Sequence, residues 1–161
     1  MPDSLESLSA RLQRLEDLES IRALIAQYGP LADSGEAQAL SELWCEGGEY
    51  EVLGYAAARG RKAIAGLIEG ADHQALMADG CAHLLGPVAI ELDGDRATAR
   101  GHSVVLRHAA GEFEVFRVSA NRWTLKRMPE GWRVVHRANA MLDGQAAAHL
   151  LLTPPVGPHP R

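Results

Sequence analysis

Residues 81–108 read CAHLLGPVAIELDGDRATARGHSVVLRH, and the form of the second half of the chain follows from them. After His83 apolar and polar side chains alternate, β-branched residues recur, and Asp93-Gly94-Asp95 breaks the run where a hairpin turn fits. The same signals continue downstream and predict strands over residues 84–92, 96–108, 113–127 and 132–142, joined by DGD, AAGE and PEG. Four consecutive antiparallel strands follow. Alternation places Arg100, His102, Val104, Leu106 and His108 on one face of the second strand, with Ser103, Val105 and Arg107 on the other. The aliphatic neighbours of His102 point to the histidine face as the buried one.

Working back from Cys81, the chain changes period. Leu5, Leu8, Leu12, Leu15, Ile21, Leu24, Ile25 and Tyr28 recur every three or four residues, the spacing of a helix with one buried stripe. Gly29-Pro30 should end or kink it, because proline lacks a backbone donor and crowds the preceding turn. Asp33-Ser34-Gly35-Glu36 has the spacing of a capping box for a short helix over residues 37–44. A strand over 47–53, a helix over 61–69 and a short helix or loop over 72–79 complete the first half. Helices first and a meandering sheet second define an α+β chain in which the long helix covers one face of a curved sheet, leaving a pocket between them.

The length of 161 residues suits a single domain, with a core over about 10–143 and a C-terminal tail over 144–161. That tail ends in TPPVGPHPR, too rich in proline to pair in a sheet. A net charge of −5 gives no electrostatic footprint for nucleic acid. No apolar run is long enough to span a bilayer and no signal-peptide layout opens the chain, so a cytoplasmic protein without a membrane partner is expected. Cys45 and Cys81 lack the spacing of a zinc or disulfide motif and read as free thiols. Six late basic residues, Arg117, Arg122, Lys126, Arg127, Arg133 and Arg137, read mostly as a solvated outer sheet face.

Two residues carry chemistry if they meet. Asp33 and His83 would form a carboxylate–imidazole pair able to remove a proton; Asp33 could equally cap the following helix with Glu36. By strand parity His102 and Asn121 are candidates for lining the pocket, and Trp44, Trp123 and Trp132 are large rings suited to packing.

On the stretches LEDLESIRALIAQY, LSELWCEGGEYEV, GRKAI, CAHLLGPVAIELDGDRATA, SANRWTLKR and EGWRVVHRANAMLDG, the chain resembles the SnoaL-like group of the nuclear transport factor 2-like superfamily, whose enzymes include dehydratases and a dehydrochlorinase. The resemblance implies a cone-shaped, cystatin-like α+β barrel holding an apolar ligand. It implies that Asp33 orients His83 for proton abstraction from carbon, that Tyr28 serves the leaving side, that Cys81 matches a thiol of the site, and that Arg137 stands near a leaving anion. Asn121, His102 and Trp44 join Arg137 and Cys81 as candidate substrate-binding residues. The resulting expectation is a lyase or isomerase for a small apolar cyclic molecule, without metal or cofactor, self-associating as a dimer or trimer. The alternative is a non-catalytic binding or assembly module built on the same cavity.

Overall fold

The computed structural model describes residues 4–154. Its elements run α1 (Leu5–Ala26), α2 (Tyr28–Asp33), α3 (Ala37–Ser41), β1 (Trp44–Val52), β2 (Ala56–Arg59), α4 (Arg61–Glu69), α5 (Ala71–Asp79), β3 (Cys81–Leu85), β4 (Ala89–Asp93), β5 (Arg96–Ala109), β6 (Glu112–Met128), β7 (Gly131–Met141) and α6 (Ala146–Leu152). One sheet holds all seven strands in the order β2-β1-β7-β6-β5-β3, with β4 also on β5. Every pairing is antiparallel except β1 with β7. The expected α+β architecture is present, as a curved sheet that stays open rather than a closed barrel.

The run expected as one strand over 84–92 is two short strands. Gly86-Pro87-Val88 separates them, because proline offers no ladder donor. Both strands lie along the same edge of β5, against Cys81↔Arg107 to Leu85↔Ser103 and Ala89↔Arg100 to Asp93↔Arg96.

Helix α1 packs through its second half. Ile21, Leu24 and Ile25 are buried, whereas Leu5 is 86% exposed and Leu8, Leu12 and Leu15 are also open. The apolar stripe is therefore longer than the surface it covers. The helix is pinned instead by a residue outside the apolar pattern: buried Asp17 accepts 2.6 Å hydrogen bonds from Nη1 and Nη2 of Arg127 and a 3.1 Å bond from Nε1 of Trp132. Arg127 thus faces inward under α1.

The long helix ends at Ala26, and the helical path resumes across Gly29-Pro30. A new helix, α2, starts at Tyr28, and Pro30 falls in its first turn, where a missing N–H costs nothing. Gly29 has a separate reason to be glycine: a Cβ there would collide with the carbonyl oxygen of His83. Helix α3 has no side-chain cap, so the expected capping box is not formed. Asp33 has turned away from it.

Part of the expected tail is helical. Helix α6 lays Ala148, Leu151 and Leu152 against Ala120 and Ala140 on the outer face of β6 and β7. Arg122 donates to the carbonyls of Leu150, Leu151 and Thr153, satisfying acceptors that a helix C-terminus leaves unpaired. The proline-rich residues beyond 154 lie outside the described part of the chain.

Candidate active site

The inner face of the sheet is the odd-numbered one on β5 and β6. Ala97, Ala99, Ser103 and Val105 are buried on β5, and Ser119, Asn121, Trp123 and Leu125 on β6. His102 is consequently exposed on the opposite face, away from the pocket. That reverses the expectation for β5: the face of Ser103, Val105 and Arg107 is the inner one. On β7 a register shift against Thr124/Leu125 changes the parity. Trp132 and Val134 point inward before it, Arg137 and Asn139 after it. This irregularity carries Arg137 from a nominally outer position into the interior, where it is 2% exposed.

A cavity of about 940 Å³ opens between this face and helices α4 and α5, lined among others by Tyr28, Tyr50, Leu67, His73, His83 and Arg117. Its wall is mostly apolar, with a few polar groups converging, the usual make-up of a small-molecule site. His83 stands on β3, directly opposite Val105 of β5. Its Nδ1 lies 2.6 Å from Oδ1 of Asp33, and its backbone N–H donates to Oδ2 of the same carboxylate at 2.9 Å. Since a carboxylate accepts, Nδ1 carries the proton and Nε2 is left with its lone pair and no hydrogen bond among the described residues. Burial is the largest influence on this imidazole and lowers its pKa below 6.5, against the opposing pull of Asp33.

Three further groups crowd the pair. Cys81 donates to Oδ1 of Asp33 at 3.4 Å, and burial followed by the neighbouring carboxylate pushes its thiol up to about 11. His73 stacks beside His83 with ring centres 5.5 Å apart and donates from Nε2 to the Ala32 carbonyl at 2.8 Å. Tyr28 meets the rings of His83, Trp44, Tyr50 and Trp123 edge-on at about 6 Å. Burial holds its phenol well above the ordinary value, so it remains a proton donor. Asp33, Cys81 and His83 also bring oxygen, sulfur and nitrogen donors within 4.8 Å of one another, a set a divalent ion could accept. At neutral pH the protonated thiol and the occupied Nδ1 make the trio a hydrogen-bonded cluster.

Behind Tyr28 lies a buried guanidinium. Arg137 is flanked by the rings of Tyr28, Trp123 and Tyr50, with its central carbon 4.0, 4.2 and 4.6 Å from their centres. Its Nε and Nη2 donate to Oδ1 of Asn121, which also accepts from Asn139, while Asn121 Nδ2 donates to Ser103. Arg137 forms no ion pair among the described residues; aromatic faces and one amide oxygen balance its charge. Asn121, Arg137 and Trp44 therefore sit behind the cavity wall and shape it, and His102 stands apart from it.

Several lining residues were not anticipated from the sequence. Tyr50 and Tyr55 belong to the hairpin of β1 and β2, His73 to the segment expected as a short helix or loop, Arg107 to the face of β5 opposite His102, and Arg117 to the basic residues expected on a solvated outer sheet face. Parity was the available signal: Arg107 shares it with Ser103, and Arg117 with Asn121 and Trp123.

The fold and site define an NTF2-like, cystatin-like α+β protein with a pocket on the concave face of its sheet. A model of the SnoaL-like domain matches residues 13–138, and the chain belongs to that family. A crystal structure of an NTF2-like protein with a cystatin-like fold from Novosphingobium aromaticivorans is 63% identical, covers 95% of this chain and 99% of that one, and superposes with a TM-score of 0.93. ActVI-ORFA from Streptomyces coelicolor shares the fold at 19% identity and TM-score 0.68, over 80% of this chain and 98% of that one. A scytalone dehydratase candidate from Novosphingobium aromaticivorans does so at 17% and 0.67, over 80% and 85%. Comparison with curated protein sequences gives no match.

Proposed function

We propose that the protein is a cofactor-independent lyase or isomerase for a small, largely apolar cyclic molecule, with His83 as the base. The observation that carries this reading is the Asp33 carboxylate 2.6 Å from Nδ1 of a histidine on the cavity wall. That contact leaves the unprotonated Nε2 to accept a proton from a substrate carbon. Asp33 then stabilises the imidazolium that forms. In an elimination, the electrons of the broken C–H bond become the new double bond as the bond to hydroxyl or halide breaks; in an isomerisation, His83 returns the proton to another carbon. Tyr28, kept protonated by burial, donates to the oxygen or leaving group that gains charge. Arg137 behind its ring favours that build-up. The family membership and the dehydratase-like neighbour support this class of chemistry.

A direct assay is exchange of the activated α-hydrogens of 2-tetralone for deuterium from heavy water, followed by NMR. The wild type accelerates the exchange and His83→Ala abolishes the acceleration while circular dichroism stays unchanged. Equal exchange by the two proteins contradicts the proposal. A second reading, a binding module using the same cavity, would leave ligand affinity intact in His83→Ala and show no exchange in either protein. Self-association belongs to the proposal as well. The open leucine stripe at Leu5, Leu8, Leu12 and Leu15 is an apolar face of the kind that a second copy covers.

A further inference from the structure

The cavity holds a positive charge that no hydrogen bond or ion pair among the described residues meets. Arg117 stands on β6 opposite Val105, which on its other side stands opposite His83, so the three residues form one row across β6, β5 and β3. Being in one row, they share a face. Adjacent strands lie about 4.8 Å apart, which sets the Cα atoms of His83 and Arg117 roughly 10 Å apart across the pocket wall. Both line the cavity.

The other arginine of the wall is paired, and neither acid that lines the cavity, Asp72 or Asp79, forms an ion pair with Arg117. Arg107 pairs with Glu114 and lies over the ring of Phe116. Asp72, an acid of the cavity rim, accepts from the hydroxyl of Tyr55. Arg117 has neither a hydrogen bond nor an ion pair among the described residues, and its Nε is buried with no partner. A half-buried guanidinium with an unpaired donor is costly unless something anionic meets it. Its field also reaches His83, where it is one of the influences that lower the imidazole pKa. A local register shift at the Val105/Leu106 step leaves Phe116 unpaired next to Arg117, so an apolar ring and a cation stand side by side on the cavity wall.

We infer that Arg117 is the anchor for an acidic oxygen of the ligand, so that the cavity takes a ring-bearing organic anion, a carboxylate or an acidic enol, rather than a neutral hydrocarbon. With that oxygen at Arg117, the ring system spans the apolar wall towards Tyr28 and presents a C–H bond to His83. This specifies the substrate class for the chemistry proposed above and rests on the same cavity being the ligand site.

The test is binding, which proceeds whether or not His83 performs catalysis. Isothermal titration compares 2-naphthoate with 2-naphthamide, equal in shape and different in charge, against wild type, Arg117→Gln and Arg117→Lys. Wild type binds the anion at least tenfold tighter than the amide, with a preference that weakens as salt is raised. Arg117→Gln abolishes the preference while keeping its affinity for the amide, which also reports an intact pocket, and Arg117→Lys retains most of it. Equal affinity of wild type for both probes, binding of neither, or an anion preference that survives in Arg117→Gln overturns the inference. Loss of catalysis in His83→Ala with the preference intact would leave the two proposals separately resolved.

Discussion

The carboxylate of Asp33 holds His83 at two places, the ring through Oδ1 at 2.6 Å and the backbone amide through Oδ2 at 2.9 Å. One residue of α2 thereby fixes both the orientation of the imidazole and the position of β3. Asp33→Ala should cost about 1–3 kcal/mol, since it strands a partly buried amide and ring N–H. Asp33→Asn, which keeps an acceptor oxygen, should cost less. Urea denaturation of the three proteins measures the difference. Equal stability of Asp33→Ala and wild type would mean that the double contact does not persist in solution.

Gly29 and the carbonyl of His83 touch so closely that there is no room for a side chain. Gly29→Ala should therefore lower stability by about 1–3 kcal/mol through overpacking. It should also displace β3 from α2, so that proton transfer to His83 weakens even though neither Asp33 nor His83 is altered. Thermal unfolding together with the deuterium-exchange assay reads both effects.

Asp17 sits under Arg127 and Trp132, and the Arg127 contact, partly offset by burial, lowers its pKa from 3.8 to about 2. A folded-state pKa below the unfolded one contributes stability above pH 4 that is lost as pH falls through about 2. Asp17→Asn should cost about 2 kcal/mol at pH 7. The gap between the variant and wild type should close on acidification over that window. Denaturation curves from pH 7 to pH 2 test the sign, and a constant gap would contradict it.

The first half of α1 exposes Leu8 and Leu12. If a second copy covers this stripe, Leu8→Glu with Leu12→Glu should reduce the mass measured by sedimentation equilibrium to that of one chain. The secondary structure should be preserved, because these residues lie outside the buried core of the protomer.

Much of this architecture was legible in the sequence because it follows from local periodicity. Helix α4 and strands β5, β6 and β7 fall within about two residues of their expected bounds, since alternation and turn residues fix them. What was not legible depended on long-range choices. Whether Asp33 caps α3 or reaches β3 depends on how closely α2 approaches β3, and at Gly29 that approach leaves no room for a side chain. The inner face of β5 depends on Ala97, Ala99 and Gly101, whose small size hides their burial from a hydrophobicity reading. Arg137 was ambiguous because a bulge, silent in the sequence, swaps the parity of β7. Asp17 escaped notice because its partners lie more than a hundred residues downstream in Arg127 and Trp132.

The proposed chemistry requires His83 as a base that burial keeps neutral and Asp33 keeps oriented. The most direct measurement is the pH titration of the His83 ring by NMR in wild type and Asp33→Asn. In the wild type the midpoint should lie below 6.5 with the proton on Nδ1 in the neutral form, and the reaction rate should rise with pH through that midpoint and then level off. Removing the Asp33 charge, which supports the imidazolium, should move the midpoint lower still. A midpoint that does not change in Asp33→Asn, or a neutral ring protonated on Nε2, would contradict it.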